Sequence, residues 1–326
     1  MSSKTNSEMC SCLAGYVRRM DLLPLRYFRV VARHEHISRA ATELRVSQPS
    51  LSRTIARLET ELGVPLFDRR GRHVRLNRFG ATLLRRVERA LDELEQGRRE
   101  LADAAGLAHG SVAVATETLL TLVEPLTGFR NDHPGVDVRL HQSSVDGLLE
   151  RLRRGEVDLC LMSQPVDDPA LESAEVLHEE VLLATPLGHR LATRERIGMG
   201  DLDGEPFITT RPGYWQRVLT DRLFAAAGSR PTIVCEADEP GATAYLISSG
   251  LGVGLLPATA RRFAPHAPLA WLHLDAPDCH RTLTFVWRRD AYVSLAAQEF
   301  RAHVTATVRR AAAGDEQAEQ RPAVLP

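Results

Sequence analysis

The sequence lacks the segments that place a protein in or across a membrane. Its 326 residues contain no run approaching the roughly 18 to 20 apolar residues that a membrane span needs. The first ten residues, MSSKTNSEMC, lead into no apolar core of the signal-peptide type. With only five cysteines, the chain is expected to carry reduced thiols rather than disulfide bonds. These absences predict a cytoplasmic protein that does not associate with membranes.

Lysine and the short motifs of common enzymes are also missing. Lys4 is the only lysine, which excludes an enzyme domain that holds pyridoxal phosphate through a Schiff base. No Gly-x-Ser-x-Gly, His-Glu-x-x-His or phosphate-loop motif is present. Cys10 and Cys12 have no two further ligands nearby, as a structural zinc site would require. The sequence therefore predicts no catalytic residue, no metal and no bound cofactor.

Positive charge is concentrated in one part of the chain. The whole sequence has a net charge of −1, yet fourteen arginines and only five acidic residues lie between Arg26 and Arg86. This stretch carries a net charge of +9, so the rest of the chain is strongly acidic. A solvated charged face would not require such segregation. A basic module on an acidic body indicates an anionic polymer as the partner.

The basic stretch begins with a pattern typical of two short helices. Leu25, Phe28 and Val31 recur at helical spacing and predict a first amphipathic helix. Ser38 is interpreted as the N-cap of a second helix, because serine at this position accepts a hydrogen bond from a free backbone N–H group.

A third helix and a hairpin complete this module. Ser47 is predicted to cap the helix, and Pro49 is tolerated because it falls in the first turn. Gly63 is predicted to end it. Residues 66–76 have the pattern of a strand, a turn at Arg70-Gly71 and a return strand, so residues 20–78 are predicted to form an all-α winged helix-turn-helix. The buried stripe of the third helix consists of Leu51, Ile55, Leu58 and Leu62.

A long helix is predicted to follow. Asn77 can cap it, and residues 79–106 are interpreted as a linker helix that pairs two chains, although Arg98 interrupts the apolar pattern. The heptad positions are Leu84, Val87, Leu91, Leu94, Leu101 and Ala105.

From Ser111 onward, short apolar strands alternate with helices. This alternation predicts an α/β domain with a parallel sheet over residues 110–305. Residues 1–19 and 306–326 are expected to be flexible tails. Met1, Met9 and Met20 are all candidate translation starts.

Two further patterns have alternative interpretations. Gly250-x-Gly252-x-Gly254 follows a predicted helix and precedes a strand, which is the wrong order for a dinucleotide motif and favours a helix end with a tight turn. Cys160 and Cys235 are expected in the core, and Cys279 at the surface. Redox sensing by a thiol therefore stays open as a minor alternative.

Several motifs occur together and in a consistent order. The N-terminal ones are Ser38-x-Ala40-Ala41, Val46-Ser47-Gln48-Pro49-Ser50, Leu58-Glu59, Leu62-Gly63 and Leu66-Phe67-x-Arg69. The later ones are His133-Pro134-Gly135-Val136, Gly155-Glu156-Val157-Asp158-Leu159 and the segment from Ser249 to Pro257. In these motifs the chain resembles the LysR-type transcriptional regulators over about residues 20–305. The resemblance implies a sequence-specific DNA-binding regulator that is not an enzyme.

The third helix is expected to enter the major groove of double-stranded operator DNA. Gln48 is the candidate base reader, because glutamine binds adenine through two hydrogen bonds, and the resemblance points to the same residue. Arg53 is either a guanine reader or a phosphate clamp. Each arginine of the hairpin either contacts phosphate or the minor groove, or lies in a solvated turn. The candidate DNA-binding residues are Ser38, Ser47, Gln48, Pro49, Ser50, Ser52, Arg53, Arg57, Arg69, Arg70, Arg72 and Arg75.

The resemblance also implies a two-lobed effector domain like that of periplasmic binding proteins. Lobe one is expected at residues 110–164 and 268–305, and lobe two at residues 165–267, with a small-molecule effector between them. Ligands of such sheets lie at strand ends and helix N-termini. Each serine or threonine there is as readily explained as a helix cap, and Arg211 hints at a carboxylate effector. The candidate effector-binding residues are Thr116, Thr118, Ser143, Ser144, Thr209, Thr210, Arg211 and Trp215.

The implied assembly is a homodimer, and in this family usually a tetramer. Two recognition helices would then meet the half-sites of an inverted repeat. Effector closure of the lobes would change DNA bending and contact with RNA polymerase, and activation is the family expectation. A solute-binding transport component is the alternative for the two-lobed body, but the missing signal peptide and the basic module count against it.

Overall fold

The computed structural model describes residues 21–70, 73–105, 110–237, 240–263 and 266–319. The tail predicted at residues 1–19 lies outside these ranges. The chain divides into two compact units, Met1–Glu95 and Gln96–Pro326. The helices are α1 (Leu22–His34), α2 (Ile37–Leu44), α3 (Gln48–Leu62), α4 (Arg78–Ala104), α5 (Leu120–Asp132), α6 (Val145–Arg153), α7 (Trp215–Ala226), α8 (Thr243–Ser248), α9 (Ala260–Phe263) and α10 (Leu295–Glu319). The strands are β1 (Phe67–Arg70), β2 (His73–Leu76), β3 (Ser111–Thr116), β4 (Asp137–Gln142), β5 (Leu159–Met162), β6 (Leu171–Pro186), β7 (Arg196–Gly198), β8 (Pro206–Thr210), β9 (Thr232–Ala237), β10 (Gly254–Pro257), β11 (Leu269–Asp275) and β12 (His280–Arg288).

Helices α2 and α3 each begin with a side chain that accepts a backbone hydrogen bond, and the sequence predicted one of these two N-caps correctly. Ser47 caps α3 as expected, since its side chain accepts a hydrogen bond from the Ser50 backbone N–H at 3.3 Å. The prediction that Ser38 caps α2 is wrong. The cap is His36, which has extended backbone and accepts from the Arg39 N–H at 3.5 Å. Ser38 lies one residue inside the helix, where its backbone is already helical.

The three short helices and the hairpin enclose one apolar core, as predicted. Gly63 ends α3 in the left-handed region with φ of +73°. Strands β1 and β2 pair antiparallel with Phe67 opposite Leu76, and residues 71 and 72 of the turn lie outside the described residues. The core is formed mainly by Leu25, Phe28, Val31, Leu51, Ile55, Leu58, Leu66 and Phe67.

Helix α4 begins where the sequence predicts. The Asn77 side chain accepts hydrogen bonds from the backbone N–H groups of Phe79 and Gly80, both at 2.9 Å. Val87 and Leu91 are buried in the core of the first unit. Further along the same helix Leu94 is 50% exposed and Leu101 is 73% exposed. Two heptad positions of the predicted seam are thus left open to solvent in the single chain.

The main sheet of the second unit is mixed rather than parallel. Strand β3 pairs in parallel with β4 and β5, but β12 is antiparallel to both β5 and β6. The strand order is β4-β3-β5-β12-β6-β11-β7, with β10 also paired to β6. The antiparallel pairing arises because β6 leaves lobe one and β12 returns alongside it.

Both crossings between the lobes lie later in the chain than predicted. Residues up to Glu180 in β6 pair with β12, whereas residues from Val181 onward pair with β10 and β11. The outward crossing is therefore at Glu180–Val181 and not near Gln164. The return follows β11 rather than preceding it near Pro268, because β11 is hydrogen-bonded to the lobe-two half of β6.

Two glycines after α8 allow close packing of strands in lobe two. A Cβ atom on Gly252 would overlap the Pro206 carbonyl oxygen, and one on Gly254 would lie 2.7 Å from that of Ile208. Gly250, with φ of +85°, ends α8. The glycine motif is therefore a helix end followed by a close approach of two strands, as its order in the sequence indicates.

The prediction of a flexible tail from residue 306 is wrong as far as residue 319. Helix α10 continues to Glu319, and residues 320–326 lie outside the described residues. Val308 is buried in the core of lobe one. The Arg309 side chain donates to the carbonyl oxygens of Val176 and Glu175, both at 2.9 Å. These contacts hold the helix against the sheet beyond the point where its polar composition suggested fraying.

None of the helices within the described ranges is long and apolar enough to cross a membrane.

The contacts of α10 predict the effect of shortening the chain. A variant that ends at Thr305 should lose about 2 to 3 kcal/mol of unfolding free energy, because it removes the buried Val308 and the hydrogen bonds of Arg309. Urea unfolding followed by far-UV circular dichroism measures this loss.

A variant that ends at Glu319 is the matched control, since it removes only the last seven residues. Equal stability of both shortened chains would show that the end of α10 contributes nothing to lobe one.

Candidate DNA interface and ligand cleft

The amino-terminal half of α3 exposes polar side chains. Gln48, Pro49 and Arg53 are exposed, and Ser50 and Ser52 are half-buried. The Arg53 Nε atom donates to the Pro49 carbonyl oxygen at 3.3 Å, which folds the guanidinium back along the first turn. The first turn of this helix therefore presents an amide and a guanidinium to solvent.

The other candidates near this helix have structural partners. Arg57 donates to Glu61 one turn later at 2.8 Å. The Ser38 backbone carbonyl accepts from the Thr42 hydroxyl at 3.1 Å, and Ser38 itself is exposed. Arg57 and Ser38 are available to a partner, but nothing in their geometry favours a base over a phosphate.

The hairpin is held in place by the carboxylates of Glu35 and Glu59, and the sequence motifs gave neither residue this role. Glu59 accepts from the backbone N–H groups of Leu66 at 2.7 Å and Phe67 at 3.2 Å. Glu35 accepts from the Leu76 N–H at 3.2 Å, and its own carbonyl oxygen accepts from the Val74 N–H. Both strands of the hairpin are thus fastened to the helices. Glu35 ends α1 in the left-handed region, with φ of +47°. An acidic residue at a helix end was the one signal in the sequence for its role in the hairpin.

Of the four hairpin arginines, Arg75 is the one whose side chain belongs to the described part of the structure. Arg75 is exposed and lies opposite Asp68 in the β1–β2 register. Arg69 and Arg70 lie on β1, with side chains outside the described part of the structure, and Arg72 lies outside it altogether. The backbone thus brings Arg69, Arg70 and Arg75 to one hairpin, as predicted.

Two basic side chains of the first unit are bonded to one carboxylate within it. Arg33 and His34 both contact the carboxylate of Glu43. The hydrogen bond from His34 and the neighbouring Arg33 hold the pKa of Glu43 below its usual range, against a smaller effect of burial. The charge of Arg33 is therefore paired with Glu43 within the unit.

In the second unit, the ends of strands from the two lobes face each other. The Val145 N–H at the start of α6 donates to the Gly213 carbonyl oxygen at 3.2 Å, which joins lobe one to lobe two. The candidate residues Ser143 and Ser144 precede this contact. A Cβ atom on Gly147 would overlap the Ser143 hydroxyl, so this hydroxyl sits directly on the first turn of α6. Ser144 occupies the N-cap position without a side-chain cap.

The threonines after β3 have local partners. The Thr116 hydroxyl is buried and donates to the Thr118 carbonyl oxygen at 3.1 Å. The Thr118 hydroxyl accepts from the Leu120 N–H at 3.4 Å, as a helix-start residue does. For Thr116 the structural explanation is sufficient, whereas Thr118 is half-buried and remains accessible.

The threonines of lobe two are in a different state. Thr209 and Thr210 are completely buried at the end of β8, and within the described residues neither hydroxyl has a hydrogen-bond partner. Thr243, at the start of α8, has the same property and was missed in the sequence. A buried hydroxyl without a partner costs free energy, so these three are the polar groups that a ligand would satisfy. Arg211 is exposed beside them.

Trp215 forms part of a groove between the lobes. The lining of this groove includes Thr118, Trp215, Phe263 and Arg281. The Arg281 guanidinium lies 5.0 Å from the centre of the Trp215 ring and is bonded to the buried carboxylate of Glu179. The candidates Thr118 and Trp215 are therefore brought together from opposite lobes.

Glu117 is the residue of this region that sequence reasoning missed. Its carboxylate is only 2% exposed and accepts from the Ser163 N–H and the Trp215 N–H, both at 2.9 Å. Burial raises the pKa of Glu117, and the two backbone hydrogen bonds and the charge of Arg281 oppose this rise. An acidic residue directly after a buried strand was the available signal.

Two thiols of the second unit, those of Cys160 and Cys279, are not suited to redox sensing. Burial raises the pKa of Cys160 to about 12 and that of Cys279 to about 11, so neither forms a thiolate at neutral pH. The expectation that Cys279 is at the surface is wrong, since it is buried against Val181. Cys235, expected in the core, is only half-buried. Across the described ranges, no group of three or more His, Cys, Asp or Glu residues could hold a metal ion.

A helix-turn-helix with a basic hairpin, joined to a two-lobed α/β domain, defines a class of DNA-binding regulators with a ligand-binding domain. Two family models match the chain. The bacterial regulatory helix-turn-helix protein model of the lysR family matches residues 22–81, and the LysR substrate binding domain matches residues 105–309. The chain therefore belongs to the LysR family of transcriptional regulators, which are not enzymes.

Similar proteins agree with this assignment over nearly the full length. The uncharacterized HTH-type transcriptional regulator YybE of Bacillus subtilis is 35% identical over 288 residues, which cover 87% of this chain and 98% of that one. The transcriptional dual regulator GltC of the same organism is 30% identical over 86% of this chain and 95% of its own. A full-length OxyR variant from Pseudomonas aeruginosa has the same fold, with a TM-score of 0.67, 24% identity, and coverage of 90% and 96%. CbnR in complex with its target DNA has a TM-score of 0.62, 25% identity, and coverage of 90% and 100%.

The exposed first turn of α3 predicts how base reading can be separated from general binding. Gln48→Ala should reduce the preference for the operator over random DNA by about tenfold or more, because a bidentate contact to one base is lost. Titrations of labelled operator and random duplexes at several salt concentrations measure this ratio.

Arg75→Ala provides the comparison from the hairpin. This change should weaken binding to both duplexes alike and reduce the salt slope by about one. If Gln48→Ala weakened both duplexes equally, Gln48 would be a phosphate contact and not a base reader.

Proposed function

We propose that the chain is an operator-binding regulator whose affinity for DNA responds to a small molecule held between the two lobes. The observation that carries the effector part is the set of buried threonine hydroxyls without partners in the described ranges: Thr209 and Thr210 at the end of β8, and Thr243 at the start of α8, all in lobe two. The proposed ligand is a reversible effector and not a resident cofactor.

On the DNA side, Gln48 reads a base edge from the first turn of α3. Arg53 projects beside it, and Ser47, Ser50 and Ser52 lie where phosphate contacts fix the register of the helix. Pro49, Arg57 and Ser38 complete this surface. Arg69, Arg70, Arg72 and Arg75 bring positive charge to the adjacent backbone or minor groove.

The assembly we propose is a homodimer, and in the cell a tetramer, formed through α4. Leu94 and Leu101 are seven residues apart on this helix and are both solvent-exposed in the single chain. Exposed leucines at heptad spacing favour burial against a second copy of the helix. Two recognition helices would then bind the half-sites of an inverted repeat.

On the effector side, Ser143 and Ser144 from lobe one and Thr209, Thr210 and Trp215 from lobe two surround the proposed ligand. Thr118 and Arg211 lie at the margins of the ligand. Thr116 holds Thr118 in place through the hydrogen bond from its hydroxyl to the Thr118 carbonyl oxygen. A ligand that binds the closed lobes more tightly than the open lobes shifts the population toward closure.

The route from lobe one to α4 is formed by direct contacts. Asp158 contacts Arg99 and also accepts from the Ala113 N–H at 2.8 Å. The Tyr292 hydroxyl donates to Asp103 at 2.9 Å, and its N–H donates to Gln96 at 2.8 Å. The last turns of α4 therefore move with lobe one. Through this connection, closure would change the spacing of the recognition helices and contact with RNA polymerase in the cytoplasm, with activation as the expected result.

Genome-wide mapping of bound sites, with the tagged protein in its own cells, tests this function. Discrete peaks that share an interrupted palindrome are expected, and the Gln48→Ala variant should lose them at similar protein levels. Diffuse binding by both proteins, with and without growth on varied nutrients, would contradict an operator-specific regulator.

The exposed leucines of α4 predict a specific defect in assembly. Leu101→Glu should raise the dimer dissociation constant by about tenfold or more, because each chain would have to bury a charge in the seam. Sedimentation velocity over a concentration series measures it.

Leu187→Glu is a matched control, since Leu187 is 63% exposed and directly follows β6 in lobe two. The same weakening in both variants would mean that α4 is not the dimer seam.

A further inference from the structure

Glu117 connects the two lobes through its side chain. It follows β3 in lobe one, and one carboxylate oxygen accepts from the N–H of Ser163, which follows β5 in the same lobe. The other oxygen accepts from the N–H of Trp215, the first residue of α7 in lobe two. Each oxygen thus accepts from a different lobe, at 2.9 Å in both cases.

The amino end of α7 is a position at which an anion is expected. Backbone N–H groups there lack partners within the helix, and the helix dipole favours negative charge. In this chain the position is filled from within, by the side-chain carboxyl group of Glu117, which is almost completely buried. A second carboxylate brought to the same N–H group would meet a like charge in a medium of low dielectric constant.

The neighbouring polar groups of lobe two are of a different kind. Thr209, Thr210 and Thr243 carry buried hydroxyls without partners in the described structure. A hydroxyl both donates and accepts, so these groups can bind hydroxyl, carbonyl or amide functions of a ligand, and they supply no positive charge to balance a carboxylate. Arg211, the one cation that suggested a carboxylate effector, is exposed rather than buried with them.

We propose that Glu117 determines the specificity of the cleft: it fills the anion position at α7, so that the part of the effector that lies against lobe two is polar and uncharged instead of a carboxylate. This inference rests on the proposed effector function. The same bond fastens the lobes to each other, together with the contact from Val145 to Gly213 and the ion pair between Arg262 and Glu124.

Chemical rescue tests the proposal with the full chain and with formate as the probe. Glu117→Ala removes the carboxylate. It leaves the N–H groups of Ser163 and Trp215 facing a space about the size of the removed carboxylate, which formate matches. Amide hydrogen exchange at Ser163 and Trp215 should become faster by about tenfold or more, because a hydrogen bond to a charged acceptor is lost. Formate should restore the slow exchange in the variant, formamide should not, and neither should change the unaltered protein.

Glu124→Ala is the matched control. It removes another carboxylate that joins the lobes, through Arg262 at 2.8 Å, but leaves the anion position of α7 filled. Formate should have no effect on it. Unchanged exchange at Ser163 and Trp215 in Glu117→Ala, or equal rescue by formate and formamide, would overturn the proposal.

Glu117→Gln keeps the size of the side chain if the alanine variant does not fold. The amide retains only one oxygen acceptor, so protection should fall at one of the two N–H groups and formate should not restore it. Full protection of both groups in this variant would also overturn the proposal.

Failure of this inference and failure of the proposed function give different results. Rescue by formate with operator binding that responds to no metabolite extract would retain the role of Glu117 and count against an effector. A response to an extract, with exchange at Ser163 and Trp215 unaffected by Glu117→Ala, would retain the effector and refute the role of Glu117.

Discussion

Strand β6 carries both lobes of the second unit, because its hydrogen bonds are divided between two sets of partners. Its residues up to Glu180 pair with β12, and the rest pair with β10 and β11. Each lobe needs its share of this strand to complete its sheet. At the division, the buried carboxylate of Glu179 binds Arg281 and Thr259. Removal of either charge would leave the other buried and unpaired, which fixes the register of the two strands at the hinge.

In the DNA-binding unit, apolar packing and hydrogen bonds to carboxylates have different roles. Its helices and its hairpin share one apolar core, to which the hairpin adds Phe67 and Val74, and the carboxylates of Glu35 and Glu59 also bind the hairpin backbone. Carboxylates that accept backbone N–H groups fix direction as well as distance, which apolar contacts do not. Two acidic residues of this basic module therefore fix the backbone of the hairpin on which its arginines lie. A count of the acidic residues, taken only to obtain the net charge of the module, does not reveal this role.

Much of the fold follows from local patterns in the sequence, and the exceptions have physical causes. The caps at Ser47 and Asn77, the hairpin and most strands were predictable because the signals are short-range. Ser38 was misassigned because His36, an unusual cap, precedes it by two residues. The crossing at Glu180, the helix beyond residue 306 and the bridge of Glu117 depend on contacts between residues far apart in the chain. Sequence spacing carries no information on such contacts.

Residues 96–104 of α4 are bonded to Asp158, Tyr292 and Leu295 of lobe one, so in the proposed function closure of the lobes would reach α4 through that lobe. Lobe two is joined to lobe one by β6, by the return after β11, by the bridge at Glu117, by the contact from Val145 to Gly213 and by the ion pair between Arg262 and Glu124. The proposed effector would therefore act on the balance between these connections and its own contacts. The coupling cannot exceed the difference in its affinity for the closed and open lobes. Because Glu117 already joins the two lobes in the absence of an effector, a smaller difference between the affinities for the closed and open lobes is enough to shift the population.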